Sequence, residues 1–164
     1  MQSEGKMMLE KLHRGINGFH KAFNWRRFRR DALHLGESLL VAPIFREDGR
    51  VQYYLPDGGW TSLLSGAKAE GGRWQTETHD FMSLPLMVRP GTVLPIGKVA
   101  DRPDYDYTDG LELHVYQLPE GEKRVVRVPD LQGRVAATYT VTMRGGEAVV
   151  ETDSNKPYMV IVHE

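Results

Sequence analysis

From residue 35 to its end, the chain repeats one cadence: a short apolar run, a turn built on glycine or proline, then another run. The turn signals recur about every 8–12 residues, a spacing that favours a β-sandwich over βαβ units. Leu39, Leu40, Val41 and Ala42 form a continuous apolar stretch, the pattern of a strand buried on both faces. Pro43 sits at its end, because proline cannot donate to a sheet ladder. Glu47-Asp48-Gly49 is a tight-turn signal, from which 51–55 returns as a partner strand. Pro56-Asp57-Gly58-Gly59 turns into a strand over 60–64. Gly71-Gly72 opens another over 73–78, where Trp74, Thr76 and Thr78 alternate with Gln75 and Glu77. Segments 86–89 and 92–96 flank Pro90-Gly91 as a further hairpin.

Beyond residue 98 the period lapses. The stretch 99–107 reads as a linker between a proximal unit, 35–98, and a second, smaller antiparallel unit, 108–164. The second unit carries strand patterns over 111–118, 123–128, 134–144, 147–152 and 158–163, with β-branched Val125, Val126 and Val128 in the second of them. Residues 1–34 read differently. Met7, Met8, Leu9 and Leu12 give 3–13 a helical apolar face, and 19–34 is a second helical candidate. The expected fold is all-β: two small antiparallel β-sandwich domains preceded by a short helical N-terminal segment. A chain of 164 residues can bury roughly 70% of the surface that its unfolded form exposes, so a stable core needs no staples.

The totals exclude some chemistry. There is no cysteine, so disulfides and thiolate metal sites are out. A net charge of −1 gives no pull toward nucleic acid, and no apolar run approaches the ~20 residues of a membrane span. With no apolar leader at the start, the cytoplasm is the default location. The charge is uneven, however. Eight basic residues against three acids make 1–34 a head of +5 on a body of −6.

Each constellation has a plain reading beside its functional one. Asp101, Asp104, Asp106 and Asp109 crowd one loop, but their spacing departs from a calcium-binding hand, and a solvated turn with acidic caps is the better reading. His79 stands beside Glu77 and Asp80, yet no nucleophile-elbow setting surrounds Ser83, so His79 reads as a polar strand-end hydrogen bonder. His13, His20, His34, His114 and His163 show no zinc-ligand spacing. The run Phe23-Asn24-Trp25-Arg26-Arg27-Phe28-Arg29-Arg30 can stack on bases or meet an anionic membrane. A helix with a solvated arginine face is its plainer reading, so neither nucleic acid nor membrane is expected as a partner. Trp60 and Trp74, with Tyr53 and Tyr54, are candidates for a sugar-stacking platform, against the default use of such rings in a core. No cofactor loop and no metal set is legible.

Four pieces in order carry a family resemblance. Leu35-Gly36-Glu37-Ser38-Leu39-Leu40-Val41-Ala42-Pro43-Ile44 is followed by Tyr54-Leu55-Pro56-Asp57-Gly58-Gly59-Trp60. Then come Thr78-His79-Asp80-Phe81-Met82-Ser83-Leu84-Pro85-Leu86-Met87-Val88-Arg89 and Leu94-Pro95-Ile96-Gly97, with Arg102-Pro103-Asp104-Tyr105 beyond. Over 35–160 the chain resembles the C-terminal region of glycoside hydrolase family 31, on its α-xylosidase branch. The resemblance implies proximal and distal β-sandwich domains that follow a catalytic barrel. It implies a parent enzyme that cuts α-glycosidic bonds with retention, using two carboxylates. No Trp-x-Asp motif occurs, since Arg27, Ser62 and Thr76 stand two residues after the three tryptophans. No catalytic residue is therefore assigned, and the chain alone is expected to be inactive.

The functional expectation is a non-catalytic accessory region. Its partners would be a catalytic barrel, met through an exposed apolar face, or a second copy of itself. A stand-alone carbohydrate-binding module is the alternative, and assembly with a separately encoded barrel is a third reading. Residues 1–30 do not look like the last units of a barrel, and the chain stops at Glu164 before the strands expected to close the distal domain, so a truncated product is expected.

Overall fold

The computed structural model describes residues 33–163, and no helix occurs among them. The helical candidates over 3–13 and 19–34 lie outside the described residues, apart from Leu33 and His34. These two belong to a strand, β1 (Leu33–Leu35).

Twelve strands follow: β2 (Leu39–Val41), β3 (Arg50–Leu55), β4 (Gly59–Ser62), β5 (Lys68–Glu70), β6 (Arg73–Thr78), β7 (Leu86–Val88), β8 (Thr92–Ile96), β9 (Leu111–Tyr116), β10 (Lys123–Pro129), β11 (Val135–Arg144), β12 (Glu147–Thr152) and β13 (Tyr158–His163). β1 and β5, at three residues each, are too short to show an alternation in sequence.

A five-stranded sheet in the order β1-β2-β7-β4-β5 faces a two-stranded ribbon of β3 and β6. The ribbon's inward row is Val51, Tyr53 and Leu55, each buried between exposed neighbours. These residues meet Leu40, Trp60 and Met87 from the sheet, and Ala42 just past β2, in one core. The second unit opposes two three-stranded sheets, β10-β11-β12 and β13-β9-β8. Leu111, Leu113 and Val115 of β9 pack there against Ala137, Tyr139, Val141 and Met143 of β11.

Three sequence expectations change. The turn at 47–49 does not close a hairpin: β2 pairs with β1 and β7, while β3 pairs with β6. The turn carries the chain from one sheet to the facing one, which lets both bury their apolar rows. Pro90-Gly91 likewise separates strands of different sheets, because β7 joins β2 and β4 whereas β8 pairs with β9. That ladder spans the segment 99–107. Finally, β13 runs parallel to β9, from Tyr158 beside Leu111 to His163 beside Tyr116. A parallel neighbour needs a crossover, and β10 to β12 supply it through the opposite sheet.

The chain enters the second unit at Gly91, whose N donates to Tyr116 O at 2.7 Å and whose O accepts from Arg124 Nε at 2.8 Å. Gln117, with φ of 44°, reaches from the end of β9 to Thr61 on β4 at 3.5 Å.

Candidate functional site

The four candidate aromatic rings separate into two pairs, and the alternation of β3 decides which residue goes where. Tyr53 points inward and is fully buried, as is Trp60 at 1% exposure. Trp60 Nε1 donates to Pro56 O at 2.8 Å, and the Arg89 guanidinium lies 5.8 Å from its ring centroid. Tyr54 and Trp74 are directly opposite one another across the ribbon, on its outer face. They remain 39% and 46% exposed, with ring centroids 5.8 Å apart and planes at 69°. The expected core use holds for Trp60 and fails for Trp74, because β6 exposes the side chains at 74, 76 and 78. Four coplanar rings do not form; an exposed corner of two does.

His79 sits in a hydrogen-bonded chain. The Tyr53 hydroxyl donates to Glu77 Oε1 at 2.7 Å, and His79 Nε2 lies 2.7 Å from Glu77 Oε2. His79 Nδ1 lies 3.0 Å from Ser83 Oγ, which donates to Asp80 Oδ1 at 2.9 Å. The order Ser-His-carboxylate looks catalytic, but the serine proton goes to Asp80 and not to the imidazole. Asp80 also accepts from Met82 N at 3.0 Å, so its carboxylate organises the turn. The bond from Ser83, then that from Met82, holds the Asp80 carboxyl below its usual value. Burial, then the bond to Glu77, pushes the Tyr53 phenol well above its own. This chain therefore ties a core residue to the loop 79–85.

That loop leads to a feature the sequence does not advertise. Ala42 N donates to Pro85 O at 3.1 Å, Leu63 N to Leu86 O at 2.8 Å and His79 N to Gly49 O at 3.0 Å. These bonds gather the loops 42–49, 63–67 and 79–85 at one end of the first unit. They carry Phe45 at 88% exposure, Phe81 at 90%, Met82 at 53% and Leu64 at 47%. Apolar side chains of this size on neighbouring loops make that end a candidate interaction surface. In sequence they lie in three separate loops, so no local pattern joins them.

Two of the four carboxylates in the acidic loop, Asp106 and Asp109, are paired with lysines. Asp106 pairs with Lys156 and accepts from Thr108 N at 3.0 Å, while Asp109 pairs with Lys98 at 2.6 Å. No group of three or more metal-ligating side chains occurs among the described residues. The basic-aromatic run 23–30 lies outside them.

The parallel β9–β13 pairing creates a histidine cluster that spacing alone does not show. His114 Nδ1 lies 2.9 Å from His163 Nε2, and His114 Nε2 lies 3.0 Å from Glu112 Oε2. The Tyr116 ring stacks on His163 at 4.3 Å. Burial, then the neighbouring His114, lowers the His163 pKa; burial, then Arg89, lowers that of His34. As pH falls through the ordinary value of 6.5, the unfolded chain takes up these protons first. Stability is therefore full above that value and declines below it, toward the lower folded values. A thermal melt series between about pH 7.5 and 5.5 is expected to show this decline. The double variant His34→Gln/His163→Gln should flatten it. The perturbed aspartates act lower, below their ordinary 3.8, and do not contribute to that window.

Comparisons with known proteins agree with the strand layout. A family model described as the glycosyl hydrolase family 31 C-terminal domain matches residues 20–94. Another, described as the C-terminal domain of α-xylosidase YicI, matches 106–164. The α-xylosidase of Emericella nidulans is 40% identical over 125 residues, covering 71% of this chain and 16% of that protein. α-Xylosidase XylQ of Lactiplantibacillus pentosus is 35% identical over 120 residues, with the same coverage of 71% and 16%. The chain thus spans about a sixth of the length of these curated relatives, 16% in each case. Among solved structures, a family 31 α-xylosidase from Xanthomonas citri superimposes with a TM-score of 0.65 at 22% identity, over 82% of this chain and 16% of the other.

Proposed function

Because the chain belongs to glycoside hydrolase family 31, as a C-terminal region of its α-xylosidase branch, we propose that its task is to buttress the catalytic barrel of an α-xyloside-cleaving enzyme. The observation that carries this reading is the apolar end of the first unit. Phe45, Leu64, Phe81 and Met82 stand out on three loops. That of Phe81 and Met82 is anchored to the core through the Tyr53–Glu77–His79–Ser83 chain, and the other two are tied by backbone bonds from Ala42 N to Pro85 O and from Leu63 N to Leu86 O. A loop pinned in this way while exposing Phe81 and Met82 loses less conformational entropy on docking than a free loop does. Water contact with the phenylalanine rings is unfavourable at about 25 cal/mol per Å², so covering them stabilises the assembly. The chain itself supplies scaffold; the two carboxylates for glycoside cleavage would come from the barrel.

Two measurements test this. Co-expressed with a barrel fragment of an α-xylosidase, the chain should co-purify with it, and Phe45→Ser/Phe81→Ser should abolish capture while leaving the thermal midpoint within a few degrees. Alone, the chain should self-associate with rising concentration in light scattering, and the same variant should shift it toward monomer. Capture and self-association both unchanged in the variant would refute the surface.

A further inference from the structure

The outer face of the β3–β6 ribbon has a different character from the apolar end. Its outward residues stand in three cross-strand pairs: Arg50 with Thr78, Gln52 with Thr76, and Tyr54 with Trp74. All six are exposed. Five of the six are uncharged; Gln52, Tyr54, Thr76 and Thr78 can both donate and accept, and the Trp74 indole can donate. From the Arg50 rung to the Tyr54 rung is four residues of strand, roughly 13–14 Å.

We propose that this face binds a short neutral oligosaccharide. Three features favour that occupant. Tyr and Trp join an apolar ring to a polar handle, which suits the C–H faces and hydroxyls of a sugar. Gln52 and Thr76, one rung away, supply an amide and a hydroxyl beside the rings. With Arg50 as the one charge among the six, the face offers little to a polyanion, and six side chains fall far short of the roughly 800 Å² per partner of a stable protein interface.

The site is also held in place. Arg73 Nε and Gln75 Nε2 both donate to Glu70 O, at 3.3 Å and 2.9 Å, so the residues on either side of Trp74 are pinned to the end of β5. The edge-to-face contact with Tyr54 restrains the indole itself. Nothing in folding requires these two rings outside: the core is complete on the opposite side of the ribbon with Tyr53 and Val51. Fixed aromatic groups left in water lower the ordering cost of binding.

The face is distinct from the loops at 42–49, 63–67 and 79–85, so it stands or falls independently of the barrel contact. The test uses the whole chain and three probes: maltohexaose, isomaltohexaose and a xyloglucan heptasaccharide. Titration followed by calorimetry, and by the indole N–H resonances, should show saturable binding of at least one probe below about 10 mM. The perturbed indole should vanish in Trp74→Phe, while the Trp60 resonance stays unmoved. Trp74→Ala should weaken binding about tenfold or more, and Gln52→Ala by a smaller factor. Phe45→Ser/Phe81→Ser should bind as the wild type does. Absence of saturation with all three probes overturns the proposal, and so does equal affinity in a folded Trp74→Ala or Tyr54→Ala variant.

Discussion

Replacing Trp60 with alanine is expected to lower the unfolding free energy by about 3–5 kcal/mol, the range for removing a large buried aromatic ring. Trp60 heads the fully buried side chains by volume and sits in the core between the five-stranded sheet and the ribbon. Its removal leaves a cavity between two layers that are themselves held apart by Tyr53, Leu40 and Leu55, so collapse is limited. Pro56 O also loses the donor at 2.8 Å that fixes the turn between β3 and β4. A domain of this size is stable by only about 5–15 kcal/mol, so the loss is about a fifth of the whole at the least. Urea unfolding followed by far-ultraviolet circular dichroism measures it. Trp74→Ala, on the ribbon's outer face, should cost about 1 kcal/mol or less. Equal costs for the two tryptophans would contradict the burial assignment.

Gly49→Ala is expected to cost about 2–4 kcal/mol, although the change adds one methyl group. Gly49 has φ of 71°, where an L-residue is strained by about 1–2 kcal/mol. A Cβ there would also overlap the carbonyl oxygen of His79, which is backbone and cannot swing aside. The bond from His79 N to Gly49 O at 3.0 Å is therefore threatened as well. That bond sets the loop 79–85 beside the loop 42–49, so the variant should lose self-association together with stability. Gly36→Ala makes the control: its φ is 67°, but nothing lies within 4 Å of the added carbon. Its cost should reflect backbone strain alone, and thermal midpoints of the two variants compared side by side separate strain from overlap.

Much of the fold is legible in the sequence because strand formation depends on a local period of two. The residues of β6, β8, β12 and β13 are the runs that the apolar alternation and turn signals mark. The all-β class follows from that cadence, and the family from motifs that keep their order between residues 35 and 97. Pairing was less legible. Glu47-Asp48-Gly49 and Pro90-Gly91 read equally well as hairpin turns or as corners between sheets, because turn chemistry sets the local dihedrals and not the partner strand. β5 leaves no strand signal in the sequence, because Lys-Ala-Glu has no apolar row to bury.

The sites divide the same way. In β3, the alternation that buries Tyr53 exposes Tyr54, so the separation of that pair was implicit in the strand itself. The fate of the tryptophans was not. Trp60 lies in a buried middle of β4, which has neighbours β7 and β5 and the ribbon above it, whereas Trp74 has only β3 beside it. The sequence by itself determined the strand cadence, the absence of thiol chemistry and the lineage, since each depends on residue type and short-range order. Only the tertiary structure decided which rings face water, that Phe45, Leu64 and Phe81 share one end, and that His114 meets His163. Those facts depend on contacts between distant segments, and such contacts are fixed by the burial of whole sheet faces against one another, an energy no single segment carries.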